Sequence, residues 1–251
     1  MCFDFDSTPP IPHLHGGSVE HRDLTLVSAD GTEFVAFEAT GGGDTAVIVL
    51  PDVRGLFRFY EELSLRFAER GFDSIAMDYF GRTAGVAKRD EDWEFWPHIE
   101  QMTIGSLTAD VQASIDHLRA HDPERKIFIV GFCFGGSSSW HMAASDLGLS
   151  GVVGFYGHPD RPGFPSGAPS VLSRVDDFSC PVLALQGGDD PGIPVEFDDS
   201  FRDAMETLGK QGEVVVYEGA PHSFFDRKHE EFREASEDAW ARILSFIADN
   251  E

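Results

Sequence analysis

The stretch "KIFIVGFCFGG", residues 126–136, places a nucleophilic side chain where an apolar run ends in glycine. Cys133 lies between Gly131 and Gly135, and the helix-like segment "GSSSWHMAAS" follows. A strand, then Gly-x-Cys-x-Gly, then a helix is typical of a nucleophile elbow, a strained turn that holds its central side chain above the edge of a sheet. The partial positive charge of the helix N-terminus would favour a thiolate there. The motif predicts a catalytic thiol; the competing interpretation is a small buried cysteine, the commonest role of an unpaired one.

Two further groups follow strands downstream of Cys133. The segment "ALQGGDDPGIP" presents Asp189 and Asp190 beyond one apolar strand, and "VVVYEGAPHSFFD" presents His222 beyond another. Nucleophile, acid and histidine in this chain order form a known type of catalytic triad. The histidine would take the thiol proton and later protonate the leaving group, while the acid would fix the imidazole tautomer. The residues alone leave the choice between Asp189 and Asp190 open.

A tetrahedral intermediate would also need two backbone N–H donors aimed at its oxyanion. The amide of Phe134, directly after the nucleophile, is one candidate. The loop after "TAVIVL" can supply the other, from Val53 in "PDVRG". This assignment depends on analogy between folds.

The rest of the chain predicts a sheet edge that could hold these groups together. "DLTLVS" and "EFVAFEA" flank the turn signal "ADGT" and predict an antiparallel hairpin. Apolar residues at three- and four-residue steps predict one helix from about Ile104 to His121 and another that closes the chain. Six short apolar segments predict strands covered on both faces: "TAVIVL", "DSIAMD", "KIFIVG", "GVVGFYG", "CPVLALQG" and "EVVVYE". We expect a single α/β domain over residues 1–251, irregular over 1–20, with a mostly parallel central sheet and helices on both faces.

Two segments fit neither period, namely residues 81–101 and residues 157–178. Loops this long in a compact domain usually shape a binding site, unless they contain a short helix. Both leave from the carboxyl ends of predicted strands, where ligands of parallel sheets bind. We therefore expect both loops to border the site.

Charge and composition argue against several classes of protein. The formal net charge is −25 and the chain has four lysines, so nucleic-acid binding is not expected. No apolar run approaches the length of a membrane span, and acids stand where a secretory signal would have bases, which predicts a cytoplasmic protein. The cysteines Cys2, Cys133 and Cys180 are too scattered for a zinc cluster, and His13-x-His15 lacks a third ligand, so no metal or other cofactor is expected. Nothing in the sequence indicates a protein partner or an oligomeric state.

Nearly the whole chain after the N-terminal segment resembles the dienelactone hydrolase family, also called carboxymethylenebutenolidases, within the α/β-hydrolase superfamily. The likeness rests on the cysteine in Gly-x-Cys-x-Gly-Gly, the acid four residues before proline in "DPGIP", and the histidine in "GAPHSFF". It implies an α/β-hydrolase fold and assigns Cys133, Asp190 and His222 to the triad. The resemblance therefore selects Asp190 over Asp189.

The resemblance also implies residues around the triad. The family keeps a carboxylate, usually a glutamate, after the third strand, where it contacts the resting cysteine and helps activate it; Asp52 in "PDVRG" is the counterpart, one methylene shorter. Members that take dienelactone bind its carboxylate with arginines, and Arg82, Arg89 and Arg227 occur in the corresponding regions without a residue-by-residue match. Aromatic side chains could instead line a pocket for less polar esters: Trp93, Phe95, Trp96 and Phe224.

Together these features predict a cofactor-independent hydrolase of lactones or small carboxylic esters that works through a thioester at Cys133. The same triad could serve an acyltransferase or an amidase, which analysis of products would distinguish. The chain could also be a noncatalytic binding protein or a thiol sensor in which Cys133 is oxidised. Candidates for all three triad positions weigh against that last alternative.

Overall fold

An eight-stranded sheet organises the part of the chain that the structure describes. The structure is a computed structural model, and it describes residues 6–14, 19–226 and 230–251. The strands are β1 Glu20–Val27, β2 Glu33–Thr40, β3 Thr45–Leu50, β4 Asp73–Met77, β5 Lys126–Phe132, β6 Gly151–Phe155, β7 Val182–Gly187 and β8 Gly212–Tyr217. Their order is β1-β2-β4-β3-β5-β6-β7-β8. β2 pairs antiparallel with β1 and with β4, and the pairs from β4 to β8 are parallel, so the predicted hairpin and the mostly parallel sheet are confirmed.

Helices follow most of these strands. They are α1 Arg58–Ala68, α2 Gly81–Ala84, α3 Trp96–Ile99, α4 Ile104–Leu118, α5 Phe134–Ala143, α6 Val195–Thr207 and α7 Arg233–Asp249, with a 3-10 helix at Leu172–Asp177. α4 begins where the periodicity predicts, because Thr103 and Ser106 form a reciprocal capping box. It ends at Leu118 rather than near His121, since the chain turns there toward β5.

Apolar side chains cover both faces of the sheet, as a sheet between two helical layers requires. One cluster packs α4 and α6 onto the sheet, with Leu107, Val111 and Phe201 among its buried members. The other packs α1 and α7 onto the opposite face, where the rings of Phe67 and Trp240 are 5.0 Å apart. The strands are thereby fixed against each other, and their carboxyl ends form one rigid edge.

The two long loops each contain a short helix. α2 and α3 lie within residues 81–101, and the 3-10 helix lies within residues 157–178. None of the helices in the described ranges is both long and apolar enough to cross a membrane.

Candidate active site

The elbow motif forms a strained turn between β5 and α5. Cys133 has φ 54° and ψ −110°, in a region that residues with a side chain rarely adopt. The neighbouring glycines allow the close approach of backbone that this turn needs. A Cβ on Gly131 would strike the carbonyl oxygen of Gly135, and a Cβ on Gly135 would strike the carbonyl oxygen of Leu50. The backbone thus holds the half-buried Cys133 side chain at the carboxyl edge of the sheet.

The predicted acid and histidine meet at the ends of β7 and β8. His222 Nδ1 lies 2.6 Å from Asp190 Oδ2, and Asp190 Oδ1 accepts the backbone N–H of Gly192 at 2.8 Å. Because Nδ1 faces a carboxylate, it carries the proton, and Nε2 is left as the acceptor. The side chain of Asp190 is 3% exposed and that of His222 is 32% exposed. Asp189 is exposed, so the geometry favours Asp190 as the partner of the imidazole.

Tyr156, which the sequence reasoning missed, links the elbow to the histidine. Its ring centroid lies 4.8 Å from that of His222, and its hydroxyl donates to Asp226 Oδ2 at 2.9 Å. The preceding residue, Phe155, accepts the backbone N–H of Cys133 at 3.0 Å. The sequence signal that could have indicated Tyr156 is a tyrosine directly after an apolar strand segment, because its hydroxyl needs a hydrogen-bond partner when buried. The end of β6 therefore lies between the thiol and the imidazole loop.

The backbone amides of Phe134 and Val53, the predicted oxyanion donors, lie in turns beside the elbow. Phe134 is the first residue of α5, and the first amides of a helix have no acceptor within it. In the turn after β3, the N–H groups of Asp52, Arg54 and Gly55 all have acceptors, whereas that of Val53 has none among the described residues. The start of α5 contacts the end of β3, which brings the two candidate donors to the same place.

Asp52 lies beside the elbow but is bonded to an arginine. Its carboxylate is completely buried and accepts the Arg54 guanidinium at 2.7 and 3.1 Å and the Arg54 backbone N–H at 2.8 Å. The expected contact with Cys133 is not among the hydrogen bonds of the described residues, because the short side chain closes a turn on its own backbone. Next to this turn, the Tyr79 hydroxyl donates a hydrogen bond to the carbonyl oxygen of Pro51 at 2.7 Å. Burial raises the pKa of Tyr79 well above its ordinary value, and neighbouring negative charges, including Asp52 and Cys133, raise it further.

Arg82 and Arg89 already have carboxylate partners. Arg82 bonds Asp110 at 2.5 Å and Asp30 at 2.9 Å. Arg89, whose side chain is 3% exposed, bonds the buried carboxylate of Asp78 at 2.9 Å. These ion pairs neutralise both guanidinium groups within the protein. The structure thus gives these arginines a role in anchoring residues 81–101, and it offers neither as a free cation for a substrate.

The aromatic candidates divide between the loop and the core. Trp93 stacks on His98 with ring centroids 4.9 Å apart, and Trp96 is exposed beside Phe95. Phe224 has no exposed surface and packs in the core, which corrects the expectation that it contacts substrate. Arg227, the arginine expected near the histidine, lies outside the described residues.

Residues 157–178 reach the elbow through Phe164. Its ring packs edge-on to that of Phe134, with centroids 4.9 Å apart, and the guanidinium of Arg161 lies 4.5 Å from the centroid of Phe164. The sequence predicts this loop at the site but does not mark Phe164. The contact brings a loop that begins after β6 against the residue that follows the nucleophile.

Cys180 contrasts with Cys133. It comes just before β7, at the opposite edge of the sheet, and burial raises the pKa of its thiol to about 12. It is therefore protonated at neutral pH. Within the described ranges, no group of three or more His, Cys, Asp or Glu side chains is arranged to hold a metal ion.

Most of the chain matches one known protein family. The model of the dienelactone hydrolase family matches residues 34–250, a span that contains the elbow, the acid–histidine pair and both long loops. The chain belongs to the dienelactone hydrolase family. The resemblance that its motifs indicated is confirmed, and the protein is a hydrolase with the α/β-hydrolase fold.

Relatives from this family are similar over almost their whole length. A Salmonella typhimurium protein with the provisional name carboxymethylenebutenolidase is 26% identical, and the match covers 96% of this chain and 91% of that one. A Bradyrhizobium protein provisionally named 2-oxo-3-(5-oxofuran-2-ylidene)propanoate lactonase is 27% identical, with 85% and 87% covered. A Klebsiella pneumoniae crystal structure with the provisional name dienelactone hydrolase matches with a TM-score of 0.80 at 24% identity, covering 92% of this chain and 99% of that one.

Proposed function

We propose that this protein hydrolyses lactones or small carboxylic esters through a thioester at Cys133, with His222 as general base and Asp190 as its partner. The observation that carries the proposal is the 2.6 Å hydrogen bond between His222 Nδ1 and Asp190 Oδ2, at the same sheet edge as a cysteine with φ 54°. The names of the Salmonella typhimurium and Bradyrhizobium relatives support a lactone or an ester as the substrate class.

The first half of the reaction forms the thioester. His222 Nε2 takes the Cys133 proton, and the thiolate attacks the substrate carbonyl carbon. The backbone N–H groups of Val53 and Phe134 hold the resulting oxyanion. When the intermediate collapses, the C–O bond breaks, and the imidazolium gives its proton to the departing alkoxide.

The second half releases the acid. Nε2 of His222 takes a proton from water, and the hydroxide attacks the thioester carbonyl at the same oxyanion position. The C–S bond then breaks, and the proton returns to the Cys133 sulfur. A lactone leaves as one hydroxy acid, because its alcohol and acyl parts are joined. Cys133 Sγ has no hydrogen bond to a described residue at rest, and catalytic contacts of this kind tighten when substrate binds.

The test compares p-nitrophenyl acetate hydrolysis by the wild type, Cys133→Ala and the control Cys180→Ala, after each is shown to fold. We expect turnover in the wild type and in Cys180→Ala and none above background in Cys133→Ala. Mass spectrometry after acid quenching should find an acetyl group on the Cys133 peptide. A lactone panel led by dienelactone then distinguishes substrates.

Equal rates in the wild type and Cys133→Ala would remove the thiol mechanism. Acyl transfer to an added alcohol or amine in preference to water would instead support the acyltransferase alternative. Absence of turnover on every ester and lactone, together with ready oxidation of Cys133, would support the thiol sensor.

A further inference from the structure

The buried carboxylate of Asp198 has no part in the triad. It lies in the first turn of α6 with no exposed surface, and its Oδ1 accepts a hydrogen bond from Gln186 Nε2 at 2.6 Å. Its Oδ2 is buried without a hydrogen-bond partner in the described part of the chain, as is Oε1 of Gln186. A buried carboxylate with an unsatisfied oxygen is costly. Costs of this kind are concentrated at functional sites.

Gln186 connects Asp198 to both halves of the active site. Its Nε2 also donates to the carbonyl oxygen of Gly157 at 2.9 Å. Gly157 contacts the first turn of α5, because a Cβ on it would strike the backbone N of Ser137. In the other direction, β7 continues from Gln186 into the loop that carries Asp190. The Gln186 side chain therefore ties the strand that leads to the acid to the backbone that supports the elbow.

The polar and charged groups around Asp198 come from three places. It faces Gln186 from β7, Asp190 from the loop after β7, and Asp199 and Arg202 from its own helix. Arg202 pairs with Asp199 at 2.6 Å. Burial raises the pKa of Asp198 to about 6; the Gln186 hydrogen bond and Arg202 oppose the rise, while Asp190 and Asp199 add to it. Asp198 is therefore ionised at neutral pH and loses its charge in mild acid.

We propose that Asp198 and Gln186 are positioning residues for the hydrolytic site: Gln186 sets the separation between the acid loop and the elbow, and the charge of Asp198, in the first helical turn after the acid loop, stabilises protonated His222. The inference rests on the proposed function, because it takes His222 as the base. Protonated His222 forms in both halves of the reaction. A second negative charge close to the acid loop lowers the cost of forming this imidazolium.

The decisive variant is Asp198→Asn, which keeps an acceptor for Gln186 Nε2 and removes the charge. In a profile of kcat/KM for p-nitrophenyl acetate from about pH 5 to about pH 9, the acid limb should move to lower pH. At neutral pH, kcat should fall about tenfold with KM unchanged. The matched control is Asp203→Asn, which removes an exposed carboxylate from the same helix, and its profile should equal that of the wild type. An acid limb that stays in place in Asp198→Asn overturns the charge role.

Gln186→Leu tests the positioning role separately. It removes the bond to Gly157, so kcat should fall about tenfold while KM stays the same. Turnover equal to that of the wild type overturns this part of the proposal.

A second readout needs no turnover. NMR titration of the His222 ring should give a lower midpoint in Asp198→Asn than in the wild type. If that midpoint falls but no ester or lactone is hydrolysed, the proposed function fails and the coupling between Asp198 and His222 stands. If esters are hydrolysed and the midpoint is unchanged, only the coupling fails.

If Asp198→Asn does not fold, the titration curve of His222 in the wild-type protein serves instead, because coupling to Asp198 requires a second inflection near pH 6. A single-step curve overturns the proposal.

Discussion

Two regions of the same sheet edge bury their carboxylates in opposite ways. At the ends of β3 and β4, Asp52 and Asp78 each face an arginine guanidinium. Beyond β7, Asp190 faces an imidazole, and Asp198 faces an amide. A guanidinium keeps its proton at any pH at which proteins function, so it faces its partner carboxylate as a permanent cation. An imidazole can lose and regain a proton, and an amide leaves the carboxylate free to titrate. The group that faces each buried carboxylate therefore distinguishes the two regions. Arginine partners mark the region that anchors the fold, and imidazole and amide partners mark the region suited to catalysis.

The largest expected effect comes from removing the imidazole. His222→Gln should lower kcat/KM for p-nitrophenyl acetate about 10³-fold or more, because the thiol loses its base. The free energy of unfolding should fall by about 1–3 kcal/mol, since Asp190, 3% exposed, loses a hydrogen-bond donor. Initial rates and urea unfolding measure the two effects. The control is His117→Gln, which removes a histidine of α4 that pairs with Glu38. This variant should hydrolyse p-nitrophenyl acetate at the wild-type rate. If His222→Gln keeps more than about a tenth of the wild-type activity, the imidazole is not the base, and the contrast between the two regions fails.

The next largest effect should be on stability in the anchoring region. Arg89→Met leaves Asp78, 2% exposed, as an unpaired buried charge, and it should lower the free energy of unfolding by about 3–5 kcal/mol. Turnover per folded molecule should stay close to that of the wild type. Arg58→Met is the matched control, because Arg58 is 62% exposed and its pair with Glu62 should contribute less than about 1 kcal/mol. If Arg89→Met is as stable as Arg58→Met, the buried pair does not anchor the loop.

A smaller effect should appear in the pH dependence of stability. The pKa of Asp198 is about 6 in the folded protein and 3.8 ordinarily, so the folded state binds the proton more tightly. Its contribution is therefore most favourable below the ordinary pKa and is lost as pH rises from about 4 to about 6. Asp198→Asn lacks this loss, so its unfolding free energy relative to wild type should rise by up to about 3 kcal/mol across that range. Urea unfolding at several pH values measures the difference. A constant offset between the two proteins would mean that Asp198 does not titrate there.

The smallest expected effect concerns Arg82. Arg82→Met should lower the free energy of unfolding by about 1–2 kcal/mol, since the side chain is 21% exposed and only Asp110 is deeply buried. KM for a carboxylate-bearing ester should not change, because the guanidinium is already neutralised. Steady-state kinetics on matched esters with and without a carboxylate would measure this. A rise in KM confined to the carboxylate-bearing ester would return Arg82 to the substrate site.

Much of the fold and the acid–histidine pair could be predicted, because their signals are local. The six apolar segments, the hairpin turn and the Gly-x-Cys-x-Gly elbow each depend on a few neighbouring residues. The order of Cys133, Asp190 and His222 along the chain added the topology, and the resemblance chose between two adjacent acids. The structure then brought Asp190 and His222 to 2.6 Å. Their catalytic roles stay a prediction until the variants are measured.

The pairing of charges could not be predicted, because it depends on contacts between distant segments. Arg82 was expected to face substrate, and it bonds Asp110, which comes from another helix. Asp52 was expected to contact Cys133, but its carboxylate pairs with the guanidinium of Arg54 instead. Gln186 and Asp198 lie on a strand and a helix whose packing no local pattern specifies. An inward-facing polar residue in an otherwise apolar strand was the one signal that marked Gln186.

The elbow's conformation also bears on how such a protein can change over generations. Close backbone contacts at Gly131 and Gly135 shape the turn, and neither contact involves the side chain at position 133. Its chemistry can therefore be exchanged without rebuilding the turn, and a single nucleotide substitution converts a cysteine codon into a serine codon. The two glycines therefore constrain the backbone of the turn, whereas the side chain at position 133 does not. One mutational step separates thiol from hydroxyl at an unchanged elbow.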